Sequence, residues 1–522
     1  MTTSLFNRIK PDQIADRLDG EYYAKELLEN ESKLNLFIQV TLENCVTNIR
    51  NAISDLTSNG SFEFLRGIQF NHTSGIPYVR TQNLMDGYID FSDGIYVDLK
   101  CKDMVAKSLC ETGDLIVCRK GKVGAASAVS ADIHGAAISE NVTRFRLDKS
   151  YDADFLATFL NSNHGRMRFL REATGVIQKW INNEKLRQIR VIRIDSSAEK
   201  YIGGKVRQAE KLRAWAKRLE VRLALLENKI PISKHVVREA KHSKATLSYL
   251  TENRLDARYY ANKHLDLYAQ FTDDFESLGS ICSKFKYGAS IAANYVNTDG
   301  LPFIRGNALS PNRINKDDIV YLNRSLEDEG NNYCIEEDDI LITRSGTVGV
   351  AAHVTSEYAK YWYGSFIIKC TLSNKLYLPA YVSWYLNSWV GQQQFRRLEN
   401  GAVQLNINIE ELSSIAIWKA SQEFQNEIQQ LLFEQISAVN LYKLLANTAK
   451  ALVEALIEGQ LTEQQLIQAQ QALEDGDNSL DQAILSKLSA EGYAIEGATP
   501  LFSDVDELYS LLEEAAQAEA EE

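Results

Sequence analysis

The hydrophobic positions along the chain change period several times, and the changes mark its elements. "DLIVC" at 114–118 and "DILIT" at 339–343 are continuous apolar runs rich in β-branched side chains. Short runs of this kind predict buried strands. "IPYVR" at 76–80 and "LPFIR" at 301–305 also predict strands, with Pro near the start, where a strand tolerates it. "DADFLATFLNS" at 152–162 and "PAYVSWYLNS" at 379–388 switch to helical spacing. Longer seams follow. Ile202, Val206, Ala209, Ala216, Leu219, Leu223 and Leu226 advance in steps of three, four or seven, as do Ile428, Leu432, Val439, Tyr442, Ala446, Ala449, Val453 and Leu456. They predict two long helices with coiled-coil seams. A globular segment separates them, so an antiparallel pair is expected. Gly203-Gly204 interrupts the first at up to about 1 kcal/mol per Gly, with no sequence reason evident. Beyond residue 460, Thr462, Ser479 and Ser503 each precede a short helical pattern, and "EEAAQAEAEE" at the end is expected to fray.

Much of this pattern occurs twice. "RLDGEYYAK" at 17–25 returns as "RLDARYYAN" at 254–262, and "GIPYVRTQNL" at 75–84 as "GLPFIRGNAL" at 300–309. "GDLIVCRKGKVGAAS" at 113–127 matches "DDILITRSGTVGVAA" at 338–352, placing Arg119 opposite Arg344. "LNSNHG" at 160–165 matches "LNSWVG" at 386–391, and "GVIQKWINNEKLRQI" at 175–189 matches "GAVQLNINIEELSSI" at 401–415. Ordered repetition of five segments implies two copies of one fold. The expected fold class is α+β: two homologous mixed α/β domains, 1–195 and 241–419, separated by long antiparallel coiled-coil helices at 196–240 and 420–460. A short helical acidic extension, 461–522, completes the chain.

Charge refines the picture. The net charge of −13 is concentrated in residues 461–522, which hold 15 acidic residues and one base, Lys487. Residues 161–193 instead carry eight Arg or Lys against two Glu, and 196–241 carry twelve against five. Basic stretches of this kind steer anionic partners, although each also fits a solvated helix face. Seven scattered cysteines with no C-x-x-C pair suit reduced thiols in a cytoplasm. No secretory leader or membrane-length apolar run is read. No methyltransferase Asn/Asp-Pro-Pro-aromatic motif, phosphate loop or paired-histidine metal site appears. The acidic group Glu336–Asp339 reads as a turn, with a nuclease site as the less favoured alternative.

The ordered set resembles the specificity (S) subunit of type I restriction–modification systems over about residues 10–460. The resemblance rests on the duplicated Arg-Leu-Asp-x-x-Tyr-Tyr, the Arg-x-Gly-x-Val-Gly turn, and Gly-x-x-Gln-x-x-Ile-Asn followed by a long helix. It implies two target recognition domains, each reading half of a bipartite site in double-stranded DNA, as part of a phage-defence system. The helices would act as a ruler and dock methyltransferase (M) subunits, two being expected, and restriction (R) subunits, up to two. No catalytic residue and no metal or cofactor is expected in this chain; S-adenosylmethionine, ATP and Mg would reside on the partners. A helix of about 34 residues spans ~50 Å, or roughly 15 base pairs. The extension is expected to pack on a partner or beside the coil. The alternatives are a non-catalytic interaction scaffold and a DNA-binding protein of a methylation system without restriction.

Candidate DNA contacts follow from the chemistry of the repeated turns. Gly lets backbone approach phosphate, Arg and Lys supply charge, and Gln or Asn amides can read base edges. In the first half these are Arg80, Gln82, Asn83, Arg119, Lys120, Lys122, Gln178, Lys179 and Asn182. In the second they are Arg305, Asn307, Arg344, Thr347, Gln404, Asn406 and Asn408. Three pairs have a structural alternative: Arg119 and Arg344 could pair a core carboxylate, Arg80 and Arg305 could serve the ends of their buried strands, and Gln178 and Gln404 could cap the following helix. The expected subunit-docking coil comprises Ile202, Val206, Leu219, Leu223, Leu226, Ile428, Leu432, Val439, Val453 and Leu456.

Overall fold

The computed structural model describes residues 9, 14, 19–175, 178–236, 242–247, 250, 254–291, 294–297, 299–329, 333–401 and 404–520. Arg17-Leu18 of the first repeat, and residues 176–177 and 402–403 of the last repeated segment, lie outside them. The chain forms two compact units, Met1–Ala214 with Ala438–Glu522, and Trp215–Ser437.

In the first unit, strands Ile53–Ser54, Val142–Phe145, Leu115–Cys118 and Ala126–Ala128 form an antiparallel sheet in that order. A second sheet orders Phe70–Asn71, Tyr96–Val97, Ile76–Val79 and Ala137–Ile138, its last pair parallel. The apolar run 115–118 is continuous because both of its faces are buried. Leu115 and Val117 enter one core with Phe155 and Phe159, while Ile116 and Cys118 enter another with Val79 and Ile138. Strand Ile38–Thr41 pairs antiparallel with Arg190–Arg193, tying the start of the repeat to its end.

The second unit repeats this plan. Cys282–Tyr287, Ile367–Leu372, Asp339–Thr343 and Ala351–His353 form one sheet, and Tyr295–Val296, Val320–Leu322, Leu301–Ile304 and Trp362–Tyr363 the other. Phe275–Ser277 pairs with Ala416–Trp418 to close it. The duplicated Leu-Asn-Ser…Gly is a structural joint in both units. Asn161 accepts from the Ala126 N–H (3.1 Å) and donates to its carbonyl (2.7 Å); Asn387 does the same to Ala351 (3.1 and 2.8 Å). Ser162 and Ser388 cap the helices Asn163–Glu172 and Trp389–Leu398. Added Cβ atoms at Gly165 and Gly391 would lie 2.1 and 2.4 Å from backbone carbonyls of the preceding helix, which is why only Gly fits.

The predicted long helices are Ser196–Leu226 and Gln422–Ile457. In the first unit Ile202, Val206, Ala209 and Leu212 share a core with Leu441, Leu445, Ala449, Val453 and Leu456. In the second, Leu219, Leu223 and Leu226 share one with Ile428, Leu431 and Leu432. The early part of one helix thus meets the late part of the other, the order of an antiparallel pair. All ten residues assigned to a docking coil are buried within the chain, Val439 at 7% exposure included. They pack inside the chain, whereas Val221, Leu225 and Phe433 on the same helices are exposed. Gly203 now has a reason: a Cβ there would lie 2.4 Å from Asp152 Oδ1, and Asp152 pairs with Arg207 at 2.9 Å. Gly204 has no neighbour within 4 Å, and nothing in the structure explains it.

The acidic extension folds within the first unit, against the paired helices. Leu466, Ile484, Leu485, Phe502, Leu508 and Leu511 join the core that holds Tyr201 and Ile202. Asp481 is buried where Lys205 Nζ (2.5 Å), the Tyr201 hydroxyl (2.5 Å) and the Tyr509 hydroxyl donate to its carboxylate. Burial raises the pKa of Tyr201 and lowers that of Lys205. Thr462 caps helix Glu463–Glu474 as predicted, with Gln465 reciprocating. The other two caps shift by one residue. Asn478 precedes helix Ser479–Leu485, and Asp504 accepts from the N–H groups of Asp506 and Glu507 where Ser503 was expected to cap. Helix Val505–Ala520 continues through most of the segment expected to fray, because Leu508, Leu511 and Ala515 are buried along one face.

Candidate nucleic-acid interface

The two motifs singled out in each repeat, distant in sequence, come together in both units. After strand Leu115–Cys118 the chain turns through Gly121 (φ 84°) and Gly124 (φ 84°), with the Gly124 N–H donating to the Cys118 carbonyl. The turn then rests on the Gln-x-x-Ile-Asn segment: Ile181 N–H donates to the Arg119 carbonyl at 3.0 Å, and Lys120 bridges Trp180. In the second unit Gly346 (φ 79°) and Gly349 (φ 89°) make the same turn. Ile407 N–H donates to the Arg344 carbonyl at 3.0 Å, and Ser345 bridges Asn406. The positive φ angles are the left-handed region that favours Gly. A Cβ at Gly124 or Gly349 would also strike the rings of Phe169 or Phe395, at 2.4 and 2.6 Å.

Within this shared frame the candidate residues divide by role. Asn182 and Asn408 are helix N-caps, accepting from Lys185 N–H (2.7 Å) and Glu411 N–H (2.8 Å). The caps are these asparagines, not Gln178 or Gln404, which are both exposed. Asn83 is buried and binds the Arg80 N–H, the Asp90 carbonyl and Asp93. Asp93 also takes Arg80 and Gln82. Burial opposes ionisation of Asp93, but the hydrogen bonds from Asn83 and Gln82, with the Arg80 charge, hold its pKa below the ordinary range. Lys122 Nζ donates to the Leu84 carbonyl at 3.0 Å, and Lys179 pairs with exposed Glu21 at 3.0 Å. Asn406 donates to the Gln404 carbonyl at 2.9 Å. Lys120, Asn307 and Thr347 are exposed, as are Gln82 and Lys122.

The arginines of the turn separate the two halves. Arg119 Nη2 donates to Asp55 Oδ2 at 3.0 Å and also to the Glu140 carbonyl, so the carboxylate-pairing alternative holds in the first unit. Arg344 has no carboxylate within ion-pair distance among the described residues. Its guanidinium carbon lies 4.6 Å from the centroid of the Tyr287 ring. Arg305 similarly lies 5.7 Å from the Tyr295 ring.

Other contributors were not visible as motifs. Trp180, Tyr287 and Phe366 are exposed aromatics beside these turns, and exposed Tyr295 lies beside Arg305. Trp180 stood within a quoted segment, but an aromatic in a strand-like run ordinarily signals packing. The Arg-Leu-Asp segment proves to be a clasp: Arg254 donates to the Leu398 carbonyl (3.0 Å) and to Glu411 (2.9 Å), holding both ends of the Gln404 loop. The Tyr259 ring meets two guanidiniums, Arg254 at 4.7 Å and Arg397 at 4.1 Å from its centroid. No group of three or more His, Cys, Asp or Glu suited to a metal ion occurs among the described residues. No helix among them is long and apolar enough to cross a membrane.

Residues 273–446 match the family model described as the type I restriction modification DNA specificity domain. The second repeat carries a type I restriction–modification DNA specificity domain. This is the family that the duplicated motifs resemble. The matched span contains the specificity domain's two sheets, its Arg344 turn and its Gln404–Asn408 segment. Among solved structures, the chain is similar to a type I restriction–modification S subunit from M. genitalium, at 13% identity and TM-score 0.42, covering 81% of this chain and 95% of that one. It is also similar to the HsdS subunit from Thermoanaerobacter tengcongensis, at 13% identity and TM-score 0.26, covering 81% and 97%. No curated protein matches the chain.

Proposed function

We propose that the chain is the DNA sequence-specificity subunit of a type I restriction–modification complex and acts without catalysis of its own. The observation that carries this reading is duplication. One repeat contains a DNA specificity domain, and the other has the same strand order, closing pair and Arg-x-Gly turn seated on a Gln/Asn segment. Two readers in one chain suit a bipartite site in double-stranded DNA. Residues 1–195 and 241–419 would be the recognition domains, 196–240 and 420–460 the spacers. The exposed Gln82, Lys120, Lys122, Gln178, Asn307, Thr347 and Gln404 would face the duplex, while Arg80, Asn83, Arg119, Asn182 and Asn408 hold the loops that present them. Two methyltransferase subunits would dock on the outer sides of the long helices, and restriction subunits would join that assembly. S-adenosylmethionine, ATP and Mg would be bound by those partners, and the complex would work in the cytoplasm. Selection of bound sequences from a random duplex library by the full chain tests this. The expected outcome is two short fixed blocks at a constant spacing; one contiguous motif, or none, would contradict it.

A further inference from the structure

Asp55 and Tyr287 occupy the same place in the two repeats. Ile53 and Ser54 pair with Phe145 and Arg144, while Phe285 and Lys286 pair with Cys370 and Lys369. On the neighbouring strands Leu115 pairs with Phe145 as Ile340 pairs with Cys370, which fixes the correspondence. Asp55 therefore follows Ser54 as Tyr287 follows Lys286. Their second contacts agree. Asn183 donates to Asp55 Oδ2 at 3.2 Å, and the residue equivalent to Asn183, Ile409, donates its N–H to the Tyr287 hydroxyl at 3.1 Å.

The exchange changes what the adjacent arginine can do. In the first unit Asp55, with its side chain 3% exposed, neutralises Arg119 and occupies an in-plane donor. In the second unit an aromatic face replaces the carboxylate. Stacking on a ring uses the face of a guanidinium and leaves its charge and the N–H donors at its edge available. Among the described residues the Arg344 guanidinium makes one hydrogen bond, a long one from Nη1 to the Ser365 carbonyl at 3.5 Å; Nε is buried without a partner, so the outward donors are those of the Nη groups. Beside it, Gly346 is exposed, and a Cβ there would meet nothing within 4 Å, so a backbone strand can approach the turn closely.

We propose that Arg344, seated on Tyr287, grips a phosphate of the DNA backbone, whereas its counterpart Arg119 is a structural clamp locked by Asp55. The two halves would then share one fold but hold the duplex unequally. The inference rests on the DNA-binding reading above and adds which arginine makes the contact.

The test is the salt dependence of binding of the full chain to a fluorescently labelled, mixed-sequence duplex. Each phosphate contact contributes about 0.9 to the slope of log K against log salt on B-DNA. Arg344→Gln should reduce the slope by about that amount. Tyr287→Asp, which installs the first-unit arrangement while keeping Arg344, should reduce it similarly. Tyr287→Phe keeps the ring and should keep the slope, which controls for folding of the site. Arg119→Gln should leave the slope unchanged but lower the melting temperature by stranding Asp55. An unchanged slope in Arg344→Gln, or an equal loss in Arg119→Gln, would overturn the proposal. A wild-type chain that binds no duplex at low salt would instead overturn the DNA reading itself.

Discussion

Among the described residues Asp481 supplies the one carboxylate in a buried cluster of three donors, so its removal is a sharp stability perturbation of the acidic extension. Lys205 and Asp481 have side chains 1% exposed, and besides Asp481 the Lys205 ammonium meets, among the described residues, Gln208 Oε1 at 3.4 Å and the Tyr201 ring at 4.9 Å from its centroid. Asp481→Ala leaves a buried charge without its counter-ion, which costs about 3–5 kcal/mol. The hydroxyls of Tyr201 and Tyr509 also lose their acceptor, at roughly 1–3 kcal/mol each. Part of this is offset because burial already lowers the pKa of Lys205, so the ammonium can release its proton. A net loss of about 4 kcal/mol, at ~2–4 °C per kcal/mol, places the melting transition of the first unit roughly 10 °C lower. Calorimetry and urea midpoints on the full chain measure it. The charge-free pair Lys205→Met with Asp481→Leu should regain most of the loss, since apolar replacements of buried ion pairs are often neutral. A single variant melting with wild type, or a double variant as unstable as the single, would refute the reasoning.

Two further outcomes follow from local geometry. His264 is buried on helix Asn262–Tyr268 with neither ring nitrogen hydrogen-bonded among the described residues, and burial, with the charges of Lys263, Arg397, Arg258 and Arg396, pushes its pKa down to about 4. The unfolded chain takes up this proton first, so stability should fall as pH drops through about 6.5 and level off near 4, by up to ~3 kcal/mol. Urea midpoints between those limits should flatten in His264→Leu; an unchanged profile would contradict the assignment. Gly349→Ala should cost more than Gly346→Ala, because both need positive φ (about 1–2 kcal/mol) but only the former also strikes Phe395, adding roughly 1–3 kcal/mol. Equal melting temperatures for the two would count against the turn geometry.

The repeats were legible because each motif reports its own element. The apolar runs gave the central strands, the three-and-four spacing gave both long helices, and Thr462 gave a cap. Contacts between residues far apart in sequence were not legible. Asp55 and Tyr287 lie where the repeats diverge, and only strand register equates them. That equation explains why identical Arg-x-Gly turns hold one paired arginine and one stacked arginine. Periodicity found the seam residues and their pairing, but not which other side chains of the two helices stay exposed. Acidic composition likewise suggested a fraying terminus, because charge counts do not show that Leu508, Leu511 and Ala515 share a face buried against the core.

Under the proposed function, this chain chooses where a partner methyltransferase acts. The direct measurement is single-base mapping of N6-methyladenine in DNA from cells expressing the cognate methyltransferase with and without this chain. The expected result is a split methylated motif, two blocks around a fixed unread spacer, that vanishes when the chain is omitted. Methylation that persists unchanged without the chain, or that never resolves into a motif despite a stable complex, would contradict it.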